Sequence, residues 1–421
     1  MKMGPGGSKL YVIGGGKLAA YAFEKGTPSP IPFSATLPIE ARTEEQALFR
    51  EIWWGLDRLY YDPNMHGKAW SKIRDKFALI LPYVSDRSDF YDLMGEMMEE
   101  LDSSHLGATA PSGDPGGSDS TAYLGVEFDP VVLAHRGAYV VSRVMPGSPA
   151  AQPASLLKVG DELRSIDGKG MGGDPIASML NKKSGKKVTL AIMRSGRSLS
   201  LAIKPLPALA QRGLEYEAWV DYQRAETDRL SGGKLAYFHI ASMDDPSFEL
   251  FLRQIRTLAP GKQGAIIDVR YNGGGFTSHK LLGVLIKTPW LIRTTRGPDG
   301  LKLSENIYRG DSLELPTALL MNTASFSNAE IMGEGFRQLK RGPLVGERTP
   351  GYVIGTGSMS LWDGGAIRMP VIGAYAVNGE NLERNGRKPD FNVWFDPNAW
   401  IQGRDLQLEK AVEELMKSLG H

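Results

Sequence analysis

Residues 317–340, TALLMNTASFSNAEIMGEGFRQLK, leave little freedom in how they fold. The apolar run Ala318-Leu319-Leu320-Met321 ends in a cluster of small polar residues, the pattern of a buried strand entering a turn. Beyond it Ile331, Met332, Phe336 and Leu339 recur at helical spacing, so the turn opens a helix. Ser327 stands on that strand-to-helix corner. A hydroxyl there is held clear of the sheet, and a helix N-terminus favours developing negative charge. Taken alone, the stretch suits simple helix capping by Ser325, Ser327 and Asn328 at least as well.

A chain of 421 residues is long enough for about three domains. The net charge of +1 provides no basic field for nucleic acid or an anionic membrane surface. Apolar residues make up 42%, enough for real cores, and no apolar run is long enough to span a bilayer. Cysteine is absent, which removes disulfides, thiolate zinc sites and a cysteine nucleophile together. That absence suits an exported protein and a hot cytoplasm alike, so the compartment stays open between periplasm or export and cytoplasm. The start, MKMGPGGSKLYVIGGG, has no long apolar core of a signal peptide and reads as the beginning of a fragment.

Residues 9–13 and 18–23 alternate around Gly14-Gly15-Gly16, predicting a hairpin, and TPSPIPFSATLP at 27–38 reads as a Pro-rich linker. The stretch GGSKLYVIGGGKLAAYAFEKG resembles the end of a β-propeller blade, so residues 1–38 are expected to be a hairpin plus linker, the remnant of an upstream propeller. Residues 39–118 are expected to be helical. Leu48, Ile52, Leu56 and Leu59 form one stripe beside Trp53 and Trp54, and the last helix runs into LDSSHLGA with Ser103, Ser104 and His105. A histidine so placed is ordinarily a surface or capping residue.

Residues 119–207 change to β-rich patterning. YLGVEF, AYVVSRV, DELRSIDG and KVTLAIMR read as strands and SPAAQPASL as a short helix. These motifs resemble a PDZ domain, whose carboxylate-binding loop would correspond to Tyr123, Leu124, Gly125 and Val126. The resemblance implies peptide binding by strand addition.

Residues 208–421 begin with a polar helix at 215–228. Strands at 235–240 and 264–269 around a helix at 247–258 then suggest a βαβ unit. The second strand ends in DVRYNGGGF, where Gly273, Gly274 and Gly275 let the backbone approach a ligand with its N–H groups exposed. Neither a phosphate-loop Lys-Ser/Thr nor a GxGxxG spacing is present, which argues against a nucleotide. A short strand at 343–347, a hairpin of 365–370 with 372–377, the polar loop GENLERNGRKPD and a closing helix at 407–419 complete the chain.

A serine on a corner, a histidine after a helix, a glycine loop and a late carboxylate are the parts acyl transfer requires: nucleophile, base, oxyanion donors and an orienting group. The order of helical segment, PDZ-like unit, NGGG, serine corner, VGE loop and PD-containing tail resembles the C-terminal processing peptidases and the tricorn peptidases from about residue 40 onward. SFSNAE matches the nucleophile motif, which implies Ser327 as nucleophile and puts Glu330 at the motif's glutamate. The lysine of the processing peptidases' TFGKG loop is missing, since TPGYV offers Tyr352. The tricorn branch instead takes a histidine from the helical segment, and SSHLG matches it with Ser104 and His105. By that resemblance Ser104 bridges His105 to Glu383, with Glu380 in reserve, and the oxyanion donors are Gly273 or Gly274 and Asn328.

The resemblance implies an α/β multidomain chain: a helical segment, a PDZ domain and a crotonase/ClpP-like α/β peptidase core. It would be a serine endopeptidase that needs no cofactor or metal, binds peptides or unfolded polypeptide and can assemble as a homo-oligomer. Tricorn peptidases place an acid in the S1 pocket. Leu291 and Ile292 occupy that region here, implying an apolar P1 residue. Rival readings are a catalytically inactive PDZ scaffold on a peptidase fold and a crotonase-like acyl-CoA enzyme. The inserted PDZ-like unit counts against the second. His239 reads as a core residue, His279 as lining the site without acting as base, and His66, His135 and His421 as surface residues.

Overall fold

A computed structural model describes residues 1–14, 17–23, 27–32, 40–111, 120–172, 175–286, 291–294, 302–305 and 312–420. Gly15, Gly16, residues 33–38, His421 and the side chains of Leu291 and Ile292 lie outside the described residues. The N-terminal segment forms an antiparallel sheet ordered β1 (Lys2–Met3), β2 (Lys9–Gly14), β3 (Lys17–Ala22) and β4 (Pro28–Ile31). The expected hairpin is β2–β3. β4 falls in what composition assigned to linker. Pro28 and Pro30 cannot donate to a ladder, so the strand is tolerated at the sheet edge.

Helices α1 (Ala41–Leu59), α2 (Trp70–Ile80) and α3 (Arg87–Glu99) follow. Leu48, Ile52 and Leu56 are buried as their periodicity requires, while Leu59 turns outward and Phe49 takes the inner position. These residues pack with Phe77, Phe90, Met94 and Met97, and also with Leu361, Ile367 and Met369 from far along the chain. α3 leads through residues 100–106 into β5 (Gly107–Thr109).

The β-rich unit contains β6 (Ala122–Tyr123), β7 (Val126–Phe128), α4 (Pro130–Arg136), β8 (Tyr139–Val144), β9 (Glu162–Ile166), β10 (Lys169–Gly170), α5 (Ile176–Met179), β11 (Val188–Arg194) and β12 (Arg197–Ile203). Its main sheet runs β12-β11-β9-β8-β7, leaving β7 at an edge, and β6 pairs with β13 (Leu206–Pro207) where the chain leaves the unit. SPAAQPASL forms two 3₁₀ turns in place of the expected helix; each starts at a proline, which has no N–H to continue an α-helix. α4 was not expected. Asp129 caps it by accepting the Val131 and Val132 N–H groups, and Gly137 ends it with φ +63°.

The last unit consists of α6 (Ala208–Ser231), β14 (Leu235–His239), α7 (Asp245–Leu258), β15 (Gly264–Asp268), α8 (Ser278–Leu285), β16 (Leu291–Thr294), β17 (Lys302–Glu305), β18 (Thr317–Met321), α9 (Asn328–Gln338), β19 (Leu344–Gly346), β20 (Gly355–Ser360), β21 (Ala366–Ile372), β22 (Phe391–Asn392), α10 (Pro397–Ile401) and α11 (Leu406–Ser418). A parallel sheet runs β14-β15-β18-β19-β22. Successive strand residues serve opposite cores. Phe238, Ile267 and Leu319 meet Phe251, Leu281 and Phe336 from α7–α9, whereas Tyr237, Ile266 and Leu320 meet Val220, Leu408 and Leu415 from α6 and α11. Parallel strands covered on both faces make this an α/β multidomain chain.

The hairpin expected from 365–370 with 372–377 does not form. β21 is one strand, and its partners are β20 and β5. β20 reads GTGSMS, without the apolar alternation that marks a strand, and its pairing partner supplies the order that its own sequence lacks. The β21–β5 ladder places Ile367 opposite Ala108 and fastens the chain just after His105 to the C-terminal unit.

Candidate active site

β18 feeds α9 through residues 322–327, and the turn is tied down before Ser327 is reached. Ser325 donates its hydroxyl to the Val269 carbonyl at 2.8 Å, and the Phe326 N–H donates to the Asn272 carbonyl at 2.9 Å. Ser327 then takes φ +55° and ψ −116°, a conformation that costs a non-glycine residue of order 1 kcal/mol or more. Its N–H donates to the Glu330 carboxylate at 3.1 Å, one half of a capping box whose other half sets the Ser327 hydroxyl against the Glu330 N–H.

The glycine loop lies directly against this corner. Gly274 has φ +93°, and a Cβ there would stand 2.6 Å from Ser327 Cβ and 3.1 Å from the Asn328 nitrogen. The Gly274 N–H is already engaged, donating to Asn272 Oδ1 at 2.8 Å. The N–H groups of Gly273 and Asn328 have no hydrogen-bond partner among the described residues. Of the two loop glycines named from sequence, Gly273 thus retains a free donor and Gly274 supplies the close approach. Asn272 organises the loop from both ends of its amide, since its Nδ2 also donates to the Ile240 carbonyl at 2.8 Å. An asparagine preceding three glycines was the available sequence signal, and it reads as ordinary turn chemistry.

His105 has φ +64° at the end of the segment that leads into β5. Its Nδ1 lies 2.8 Å from Ser104 Oγ, which lies 3.1 Å from Glu383 Oε2. Glu383 also accepts the Ser104 N–H at 2.8 Å and the Val353 N–H at 3.2 Å. Because the carboxylate can only accept, the Ser104 hydroxyl donates to it, and Nδ1–H donates to Ser104 in turn. This tautomer leaves Nε2 with its lone pair. Burial lowers the His105 pKa below 6.5, the Arg368 charge lowers it further, and Glu383 pulls the other way. Glu380 makes a different contact, pairing with Arg387 at 3.0 Å.

No hydrogen bond joins His105 to Ser327 among the described residues. The two halves are linked through residues 349–353. Glu330, fully buried on α9, accepts Thr349 Oγ1 at 2.6 Å, the Gly351 N–H at 2.6 Å and the Tyr352 N–H at 2.7 Å, and the next residue, Val353, donates to Glu383. Burial raises the Glu330 pKa even though these donors act in the opposite direction. The Tyr352 ring stacks on Phe326 at 6.0 Å. A polar cleft of about 530 Å³ opens over Ser104, Tyr352 and Glu383.

The remaining residues fall as follows. His239 is buried with both ring nitrogens bonded, and His279 and His135 are exposed. His66 is not a surface residue. It is half-buried, with Nδ1 3.0 Å from the Leu101 carbonyl and its ring against Tyr60 and Tyr61, because a positive φ turns it back under α1. In the β-rich unit Tyr123 is partly exposed and Val126 lies on edge strand β7. Gly125 has φ +79° with Ser148 packed against it. The Leu124 side chain is buried in the core of that unit, so only its backbone can face a ligand. Among the described residues no cluster of His, Cys, Asp and Glu is disposed to hold a metal ion, and no helix is long and apolar enough to cross a membrane.

Three family models match the sequence: Tricorn protease C1 domain over residues 41–99, PDZ domain over 122–204 and Peptidase family S41 over 234–393. Tricorn protease homolog 1 of Streptomyces coelicolor is 29% identical over 396 residues, covering 90% of this chain and 36% of that protein. The tricorn protease of Thermoplasma acidophilum is 26% identical over 414 residues, covering 96% of this chain and 38% of the relative. The chain therefore spans little more than a third of the length of these curated relatives. The crystal structure of the tricorn protease matches with a TM-score of 0.81 at 23% identity, over 100% of this chain and 41% of that one, which is a likeness of fold. These three domains, in this order, make the chain similar to the tricorn proteases along most of its length, with residues 234–393 matching peptidase family S41.

Proposed function

We propose that the chain is a serine endopeptidase acting on peptides or unfolded polypeptide tails, with Ser327 as nucleophile and His105 as base. The observation that carries this reading is the hydrogen-bond chain from Glu383 through Ser104 to His105 Nδ1, which leaves Nε2 as a free acceptor. His105 Nε2 removes the Ser327 proton as Oγ attacks the scissile carbonyl carbon. The carbonyl oxygen becomes an oxyanion held by the Gly273 N–H of the glycine loop and by the Asn328 N–H at the start of α9. The imidazolium passes its proton to the leaving amine, and the C–N bond breaks to give an ester on Ser327. Water, deprotonated by His105, then hydrolyses that ester. Ser104 and Glu383 orient the ring and stabilise its charged form without accepting its proton. The open edge of β7 supports a docking role for the PDZ domain, with an extended substrate tail adding as a strand beside Tyr123, Leu124, Gly125 and Val126.

The test is labelling with a serine-directed fluorophosphonate, with the modified residue mapped by mass spectrometry, in wild type and His105→Ala. Labelling at Ser327 that collapses without His105 is the expected result. A folded protein that does not label would favour the inactive scaffold.

Two substitutions should move the pH profile in opposite directions. Removing the Arg368 charge relieves a force that lowers the His105 pKa, so Arg368→Gln shifts the acidic limb of kcat/KM to higher pH. Glu383→Gln removes the group that raises this pKa, so the limb shifts lower, and the rate falls by about 10²-fold as the ring loses its charged support. Limbs that coincide with wild type in both variants would exclude His105 as the titrating base. An apolar P1 preference is tested by sequencing the products of a mixed peptide library. Predominant cleavage after Lys or Arg would contradict it.

A further inference from the structure

Just before the glycine loop the chain passes through Tyr271, and beside it lies a cavity that the mechanism does not use. It measures about 360 Å³ and is lined by Tyr216, Trp219, His239, Ala241 and Tyr271. Ligand pockets begin at about 300 Å³, so the volume suffices for one large side chain. The walls are rings set edge to face. The Trp219 centroid lies 4.7 Å from that of His239 at 88° and 6.0 Å from that of Tyr271 at 82°. Tyr271 is held at φ +62° with its N–H donating to Asn322 Oδ1 at 3.2 Å, and more than half of the residue remains exposed. A non-glycine residue keeps such a backbone only where its surroundings over-determine it.

The polar atoms among these walls are already occupied. His239 Nε2–H donates to the Arg270 carbonyl at 3.0 Å, so Nδ1 accepts the Tyr216 hydroxyl at 2.9 Å. Burial lowers the His239 pKa, in the same sense as an Nδ1 that accepts a hydrogen bond. The buried Arg270 guanidinium lies 5.7 Å from the Trp219 ring centre, and its charge is matched by Asp268 and Asp405. No carboxylate is among the lining residues to attract a cation, and no free cation is there to attract an anion. What the cavity offers is aromatic surface.

We propose that this cavity is a substrate subsite taking an apolar side chain, by preference an aromatic one, two or three residues from the bond that is cut. The inference rests on the peptidase reading given above. The register follows from the loop itself: Tyr271 precedes Gly273 by two residues, and an extended peptide advances about 3.3 Å per residue. Tyr271 and Gly273 are therefore no more than about 7 Å from each other, a span that an extended peptide held at the Gly273 N–H covers in two or three residues. An entering ring can meet Trp219 and Tyr271 in the offset or edge-to-face geometries that aromatic pairs favour.

The test measures binding, so that it stands apart from turnover. Fluorescein-labelled octapeptides of Gly and Ser, each with one Phe, Lys or Glu moved along the chain, are titrated by anisotropy against the full chain carrying Ser327→Ala. The expected result is a Kd about tenfold lower for Phe at one register than for Lys or Glu there. Ala241→Trp, which fills the cavity from an exposed position, and Trp219→Ala, which removes a wall, should each abolish that gain. Equal affinity for all three residues, or a gain that survives in the folded variants, would overturn the proposal. Thermal melts identify a variant that fails to fold, in which case the other carries the test. Failure of the peptidase reading would show separately, as absence of fluorophosphonate labelling in the wild type.

Discussion

Replacing Ser327 with alanine is expected to lower kcat/KM for peptide cleavage by about 10⁶-fold, the scale seen when a serine nucleophile is removed from a triad enzyme. The loss should not arise from unfolding. Alanine forfeits only the hydroxyl's half of the capping box at the start of α9, so stability should fall by no more than about 1 kcal/mol. Glycine at the same position separates chemistry from strain. At φ +55° and ψ −116° a Cβ is costly, so Ser327→Gly should be as inactive as Ser327→Ala yet more stable than it by about 1 kcal/mol. Urea denaturation of the two variants reads the difference. Equal midpoints would mean that the corner is not strained, and residual cleavage above about 10⁻⁴ of wild type would mean that Ser327 is not the nucleophile.

Gly274→Ala should be the most damaging substitution at a residue that takes no part in proton transfer. Its methyl group would meet Ser327 Cβ at 2.6 Å, the Phe326 carbonyl oxygen at 2.9 Å and the Asn328 nitrogen at 3.1 Å, at a backbone φ of +93°. Two of those three neighbours are main chain and cannot rotate away. Either the glycine loop or the serine corner must shift, separating the Gly273 donor from the nucleophile. Displacement of about 1 Å costs on the order of 10²-fold, and loss of an oxyanion donor costs 10²–10³-fold, so a fall in kcat of about 10³ is expected. Gly273→Ala is the control, because a Cβ there has open space around it. Equal effects of the two changes would show that packing against Ser327 is not what the loop requires.

What could be read from sequence follows how locally each feature is encoded. The strand-to-helix corner at Ser327, the βαβ pattern around residues 235–269 and the closing helix each announce themselves within a dozen or so residues through periodicity. β20 does not, because Gly-Thr-Gly-Ser carries no apolar alternation and depends on β21 for its order. β4 was hidden by prolines that an edge strand tolerates, and His66 by a turn that folds it inward. In the site, sequence could name Ser104, His105 and Glu383 but could not separate Glu383 from Glu380. Three residues decide whether a carboxylate meets Ser104 or Arg387, and loop geometry settles that. Asn272 and the carboxylate of Glu330 were likewise illegible as organisers, since their partners Ile240, Thr349 and Tyr352 are brought to them only by the folded sheet.

The ladder between β5 and β21 has a consequence for the history of each molecule. His105 is held by a strand whose partner starts at Ala366, and the carboxylate that completes its hydrogen-bond chain is 279 residues beyond Ser104. During translation the helical segment emerges before the C-terminal unit, and domains generally fold in the order in which they are made. A ribosome-bound chain that has just passed Ser327 therefore still lacks both the strand paired with β5 and the glutamate at the end of the histidine's hydrogen-bond chain. On the proposed mechanism, cleavage begins only when synthesis has passed residue 383.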